Sequence, residues 1–159
     1  MKESAENRQM LVVFRMEGQR YALRLDAVDR VISAVAVTPV PETLGFVLGL
    51  VNLAGRLLPV ISLRACLGMP DRPIRPEDQF VIAGTSRLTL ALVVDEVEGL
   101  SLIEDGQTVA VGDTLPGERS RIDRLAKING DIIPIYDLEQ LFSRDAQERI
   151  LQVKAAAGV

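Results

Sequence analysis

Two stretches of the chain occur twice, in the same order, and this repeat constrains the fold more than any other feature. Tyr21-Ala22-Leu23-Arg24-Leu25-Asp26-Ala27-Val28 returns after an offset of 69 residues (21 to 90) as Leu90-Ala91-Leu92-Val93-Val94-Asp95-Glu96-Val97. Both read apolar-Ala-Leu-x-apolar-Asp-x-Val. Gly55-Arg56-Leu57-Leu58-Pro59-Val60-Ile61-Ser62-Leu63 returns after 75 residues (55 to 130) as Gly130-Asp131-Ile132-Ile133-Pro134-Ile135-Tyr136-Asp137-Leu138. The two offsets differ only by what loops can absorb. The pattern predicts a duplicated unit, and therefore two lobes of related fold.

Each unit reads as strand. Met10 to Arg15 is a short apolar run that reaches a Glu17-Gly18-Gln19 turn, the spacing of a hairpin into Tyr21–Leu25. In the second unit Phe80–Ala83, a Gly84-Thr85-Ser86-Arg87 turn and Leu88–Val94 do the same. With aromatic residues at 4% and no Trp, the core is aliphatic, and the Val and Ile content favours strands. Short strands broken by turn signals suggest small barrels or a sandwich. Pro59 and Pro134 cannot donate to a ladder, so their strands are expected to be edges or bulged. Ser62 and Asp137 are placed to cap helices, Asp137 with Gln140 three residues on in a capping-box pattern. The second of these helices is expected to run from about Leu138 through Leu151, with the last residues frayed. Glu42–Asn52 is expected to hold a short helical turn packed between the lobes, Pro70–Glu77 to be the inter-lobe linker, and Asp105–Arg121 a long loop.

Composition excludes several classes of function. The net charge of −4 disfavours a phosphate backbone, so nucleic acid is not an expected partner. The lone Cys66 allows no intrachain disulfide and reads as a small core residue. The chain has no histidine, which removes Ser–His and Cys–His pairs and the commonest metal ligand. No metal or cofactor site is expected. The charged N-terminus lacks a signal-peptide core, and the longest apolar stretch, about Leu44 to Leu53, is too short to span a bilayer. A cytoplasmic protein without direct membrane insertion is the expectation. The repeat-related Asp26 and Asp95 could suggest a carboxylate pair between lobes, but the Asp-Thr/Ser-Gly loops of a protease dyad are missing; each reads as an acid at a strand end.

Val47-Leu-Gly49-Leu-Val-Asn52-Leu-Ala-Gly55-Arg-Leu-Leu-Pro59-Val-Ile-Ser-Leu63-Arg64 resembles the signature of CheW-like domains, a Gly-x-x-Asn-Leu-Arg-Gly-x-x-x-Pro-x-x-Asp-Leu-Arg pattern. Leu92-Val-Val-Asp95-Glu-Val97 resembles the family's Val-Asp-x-Val segment. The resemblance covers about Met10 to Phe142. It implies a mainly β fold of two SH3-like five-stranded barrels packed together, with short connecting helices and a C-terminal helix. It implies residues 1–9 as a disordered N-terminus and 10–146 as a single domain. Within that domain, lobe one spans about 16–76 and lobe two about 77–142, strand 10–15 being able to cross between them, and 147–159 form a helical or frayed tail.

The resemblance also implies a role without catalysis: a scaffold adaptor coupling chemoreceptors (methyl-accepting chemotaxis proteins) to the regulatory domain of a CheA-type histidine kinase. Carried over position by position, it implies Val28, Ile32, Gly49, Asn52 and Leu53 near the groove for the receptor's helical tip, and Val97 and Leu100 at the kinase contact. Two positions depart from the pattern. Ala54 stands where the family usually has Arg, and Arg30 where an acid is frequent; Ser62 replaces the usual Asp. A partner system other than motility, a non-motility kinase pathway, is the alternative these departures raise; an inter-lobe carboxylate enzyme is the remote one.

Overall fold

The computed structural model describes residues 8–40, 45–110 and 122–156. The fold is mainly β. A hairpin, β1 (Arg8–Met16) and β2 (Gln19–Arg24), leads through a single 3-10 turn (Leu25–Ala27) into β3 (Val28–Ser33), β4 (Val47–Leu53) and β5 (Arg56–Ser62). A one-turn helix, α1 (Leu63–Cys66), ends this first unit. The second unit repeats the plan: a hairpin β6 (Gln79–Gly84) and β7 (Thr89–Val94), then β8 (Glu96–Glu104), a short β9 (Thr108–Ala110), β10 (Ile122–Ile128), β11 (Asp131–Tyr136) and helix α2 (Leu138–Leu141). Helix α3 (Arg144–Ala156) closes the described chain.

The strands form two sheets, ordered β8-β1-β2-β11-β10-β9 and β3-β6-β7-β5-β4. Apart from the extra β9, each position in one sheet is matched by its repeat partner in the other. The register repeats as well. Ile135 lies opposite Ala22 in the parallel pair β11–β2, and Val60 opposite Ala91 in β5–β7, which the two sequence offsets interconvert. The duplication is thus present in the hydrogen bonding and not only in the residue pattern.

The sheets cut across the division of the chain at residues 76 and 77. Each unit gives its hairpin to the sheet that holds the other unit's remaining strands. Not only strand 10–15 but the whole β1–β2 hairpin crosses over, and β6–β7 crosses reciprocally.

Side-chain alternation then builds three apolar clusters. Ala22, Leu11, Val13, Ile133 and Ile135 fill the interior of one sheet, and their counterparts Ala91, Phe80, Ile82, Leu58 and Val60 fill the other. The opposite faces of the same strands, with Phe14, Tyr21, Leu23, Val81, Leu90 and Leu92, meet in a larger shared core. This is the period-2 logic of a strand buried on both faces. Helices α2 and α3 contribute Leu138, Leu141 and Ile150 to that core. They also clasp the β6–β7 turn: Thr85 Oγ1 donates to Gln147 Oε1 at 2.8 Å, and the Ser86 amide to Glu139 at 2.6 Å.

Four expectations change. β5 and β11 are interior strands, not edges. Pro59 and Pro134 are tolerated because each lies one residue before its parallel ladder begins, so no N–H is required on that side; the bulges fall on the antiparallel neighbours β4 and β10. Residues 47–53 are strand, not helix; positions 41–44 lie outside the described residues. Of the expected loop Asp105–Arg121, residues 105–110 form a 3-10 turn and β9, and 111–121 lie outside the described residues. The C-terminal helix is broken at Phe142-Ser143, where the Ser143 hydroxyl accepts from the Ala146 amide and starts α3 afresh. Ser62 and Asp137 cap α1 and α2 as expected. Cys66 is half-buried against the shared core.

Candidate functional site

The β1 residues that face the shared core are the even ones, Phe14 and Met16 among them. Towards its N-terminal end the same face carries Val12 and Met10, paired with Leu100 and Leu102 of the edge strand β8. There the covering lobe stops. Leu100 is 59% exposed, Leu102 54%, and Met10 and Leu25 37% each. Leu25 follows Arg24, which pairs with Leu11, and its 3-10 turn packs on both β1 and β3. Val28 of β3 and Val97 of β8 lean on the shared core at the two crossovers. An apolar strip therefore runs β8–β1–3-10 turn–β3 as the uncovered continuation of the inter-lobe core. Large apolar residues grouped in this way, rather than scattered singly, mark a contact surface. The register with β8 shifts between Val13 and Phe14, where Glu98, next to Gly99, is the extra residue of a bulge on β8.

Of the residues expected at the receptor groove, Val28 lies on this strip. Ile32 and Leu53 lean on the interior cluster of the β3–β7 sheet. Gly49 has φ +152°, and a Cβ there would drive into the Thr38 carbonyl oxygen. That carbonyl accepts the Leu50 amide at 2.9 Å, so Gly49 is required by close backbone approach. Asn52 Oδ1 accepts the Gly55 amide at 2.9 Å across the β4–β5 turn. The residues expected at the kinase contact, Val97 and Leu100, lie on the strip with Val28. Leu25, Met10 and Leu102 were not singled out by sequence, because an exposed Leu in an alternating strand reads the same as a buried one.

The two repeat-related aspartates have diverged. Asp95 is the single residue between β7 in one sheet and β8 in the other. Its carboxylate accepts from Arg64 at 2.7 and 2.9 Å, from Arg72 at 2.7 Å and from the Glu17 amide at 2.9 Å. Arg64, nearly enclosed, also pairs with Glu17 of the β1–β2 turn. Arg72 pairs through both nitrogens with Asp78, whose side chain has no solvent exposure. Burial alone would push the Asp78 carboxyl up, but the hydrogen bonds from Arg72 and the Arg75 amide, with the charges of both arginines, hold it below the usual carboxylate range. Asp26 is exposed and has no ion pair among the described residues. The two carboxylates are thus not a matched pair, and that of Asp95 is occupied by two guanidinium groups.

Arg30 lies on β3 with Asp29 at 3.4 Å, and Ala54 in the turn between β4 and β5, on opposite edges of the sheet order. Among the described residues there is no group of His, Cys, Asp and Glu that could hold a metal, and no helix is long and apolar enough to cross a membrane.

The model of the CheW-like domain family matches residues 10–146. The chain is 27% identical to a chemotaxis protein CheW of Rhizobium meliloti (strain 1021), covering 87% of this chain and 90% of that protein. It is 30% identical to a chemotaxis protein CheW of Thermotoga maritima, covering 80% and 83%. The crystal structure of the scaffolding protein TtCheW from Thermoanaerobacter tengcongensis superposes with a TM-score of 0.78 at 26% identity, covering 87% of this chain and 94% of that one. Two sheets related by an exchanged repeat, an apolar strip where they part and a family match over nearly the whole chain lead to one conclusion: the protein belongs to the CheW-like domain family, the adaptor scaffolds of chemotaxis signalling.

Proposed function

We propose that this chain is a cytoplasmic, non-catalytic adaptor that holds the helical tip of a chemoreceptor on the strip formed by Leu25, Met10, Leu100 and Leu102, with Val28 and Val97 at its margins. The observation that carries this reading is the exposure of four large apolar side chains on the face whose continuation is the inter-lobe core. An amphipathic helix seats its apolar face in such a strip, the helix-in-groove mode. Val97 and Leu100 are thereby assigned to the receptor rather than to the kinase. Ile32, Gly49, Asn52 and Leu53 act by shaping lobe one.

The regulatory domain of a CheA-type kinase is assigned to the outer face of β9–β11. Val109 and Ile132 are 65% and 58% exposed there, beside Leu125 and Pro134. In the other lobe the repeat-related Pro59 is buried, in the cleft that α3 lines with Ile150 and Leu151. The β9–β11 face has no such helix among the described residues, and a partner of related fold fits it.

Burying a Leu that is about three-fifths exposed contributes roughly 1–2 kcal/mol. Leu100→Ser/Leu102→Ser therefore weakens binding of a receptor-tip fragment by at least about tenfold and leaves binding of the kinase regulatory domain within about twofold. Val109→Ser/Ile132→Ser does the reverse. Calorimetric titration of each variant with each partner tests the assignment. It fails when both pairs weaken the same partner, or when the parent protein binds neither at tens of micromolar.

A further inference from the structure

The β3 strand ends at Ser33, and no regular element follows before the isolated bridge at Thr38. Its repeat counterpart does not stop: β8 continues through Ile103 and Glu104, paired with Gln9 and Arg8. In lobe one the first of those two pairs survives as a bond from the Ala34 amide to the Asp78 carbonyl, 3.0 Å. The second is lost, because the chain before β6 turns away, the Asp78 amide bonding back to the Arg75 carbonyl at 3.0 Å. The backbone groups of Val35, Ala36 and Val37 consequently have no hydrogen-bond partner among the described residues, until Thr38 pairs with Leu50. Between this stretch and the proline-rich linker lies a cleft of about 700 Å³, within the size range of ligand sites. Its walls are Val35, Val37, Leu48 and Ile74, and Val35 is 46% exposed. Arg75 stands at the cleft with its side chain 47% exposed and one loose contact to Asp78, 3.4 Å.

We propose that this cleft receives an extended peptide segment of a partner protein, added as a strand along Val35–Val37. Its alternate apolar side chains fill the cleft, and an acidic residue faces Arg75. The row of backbone groups selects an extended peptide over a helix or a small molecule, since free backbone donors and acceptors are what a strand satisfies and a helix cannot. The wall beside it, Ala34 to Val37 with Leu48 and Ile74, is apolar and takes the side chains of such a strand. The surface is separate from the strip and the β9–β11 face, so the inference does not rest on the partners proposed for those.

The test uses the full chain and a synthetic peptide of alternating valine and threonine with one central glutamate. The expected result is saturable amide shifts at Val35, Ala36 and Val37 with slowed hydrogen exchange there. N-methylation of alternate peptide amides weakens binding by about tenfold or more, and Arg75→Glu weakens it by several-fold. Absence of saturable shifts at residues 34–37 up to about 1 mM peptide, or equal binding of the N-methylated and parent peptides, overturns the proposal. The N-methylation arm needs no protein variant, so it stands even where a substitution disturbs folding.

Discussion

Asp95→Asn and Asp26→Asn are the same change at repeat-related positions, and the fold makes opposite demands on them. At position 95 the substitution removes the charge that Arg64 and Arg72 share. Arg64 has 8% of its side chain exposed, so it cannot turn to water instead. Removing one partner of a buried pair costs about 3–5 kcal/mol. Here the cost is smaller, because Glu17 still faces Arg64, Asp78 still faces Arg72, and Asp95 is itself 17% exposed. The asparagine oxygen can keep one bond, while its amide faces a guanidinium. About 2–3 kcal/mol remains, which for a domain of this size is a fall of about 4–12 °C in Tm. At position 26 the side chain is exposed and unpaired among the described residues, so the same change stays within about 0.5 kcal/mol. Calorimetry on both variants, with urea titration at 25 °C, separates them. Raising the salt concentration leaves the gap largely intact, since enclosed pairs are weakly screened. Equal costs at the two positions would refute the reasoning, because the exposed aspartate would then matter as much as the enclosed one.

Two other outcomes follow from single positions. The Asp78 carboxyl titrates below its unfolded value of about 3.9, so the stability it contributes is fully present above that pH and is lost as pH falls through the folded value; Tm scanned from neutral to about pH 2.5 should fall more steeply in the parent than in Asp78→Asn. Ala54 has φ +53° beside Gly55 at +87°, a two-residue turn that favours Asn at its first position; Ala54→Asn should raise stability by about 0.5–1 kcal/mol, read as a Tm shift, whereas Ala54→Arg, which restores the usual family residue, should not.

The repeat was legible because duplication preserves residues that each strand needs in both copies: the Ala that faces a crowded interior, the Pro just before a parallel ladder, the caps Ser62 and Asp137. What the pattern could not carry was partner choice. Alternation in β1 and β6 states which side chains share a face, not which sheet a hairpin joins, so the reciprocal exchange stayed out of reach. Residues 47–52 sat inside an apolar run that read as a turn of helix, because what makes them strand is pairing with β5 and Thr38 outside the run. Asp95 read as a strand-end acid for the same reason: Arg64 is 31 residues away and Glu17 78. The strip was half legible. Val28, Val97 and Leu100 stood out in the sequence, but nothing local to residues 28 and 97 reveals that both crossovers border one face.

The exchange of hairpins gives the strip its mechanical meaning. Each sheet is entered through a crossover from the other, so neither lobe can shift without moving strands that belong to its neighbour's sheet. The two crossovers are unequal. The one at Asp95 is fastened by Arg64 and Arg72 to the β1–β2 turn, to α1 and to the linker. The one at Leu25–Ala27 has no capping side chain and leaves Leu25 partly exposed. A helix seated on the strip would touch β8 and β1 of one sheet and, through the looser crossover, β3 of the other. Its contacts would reach both lobes at the crossover that carries no side-chain cap, while the one at Asp95 stays fastened by Arg64 and Arg72. The proposed adaptor role asks for one surface whose occupancy both sheets feel.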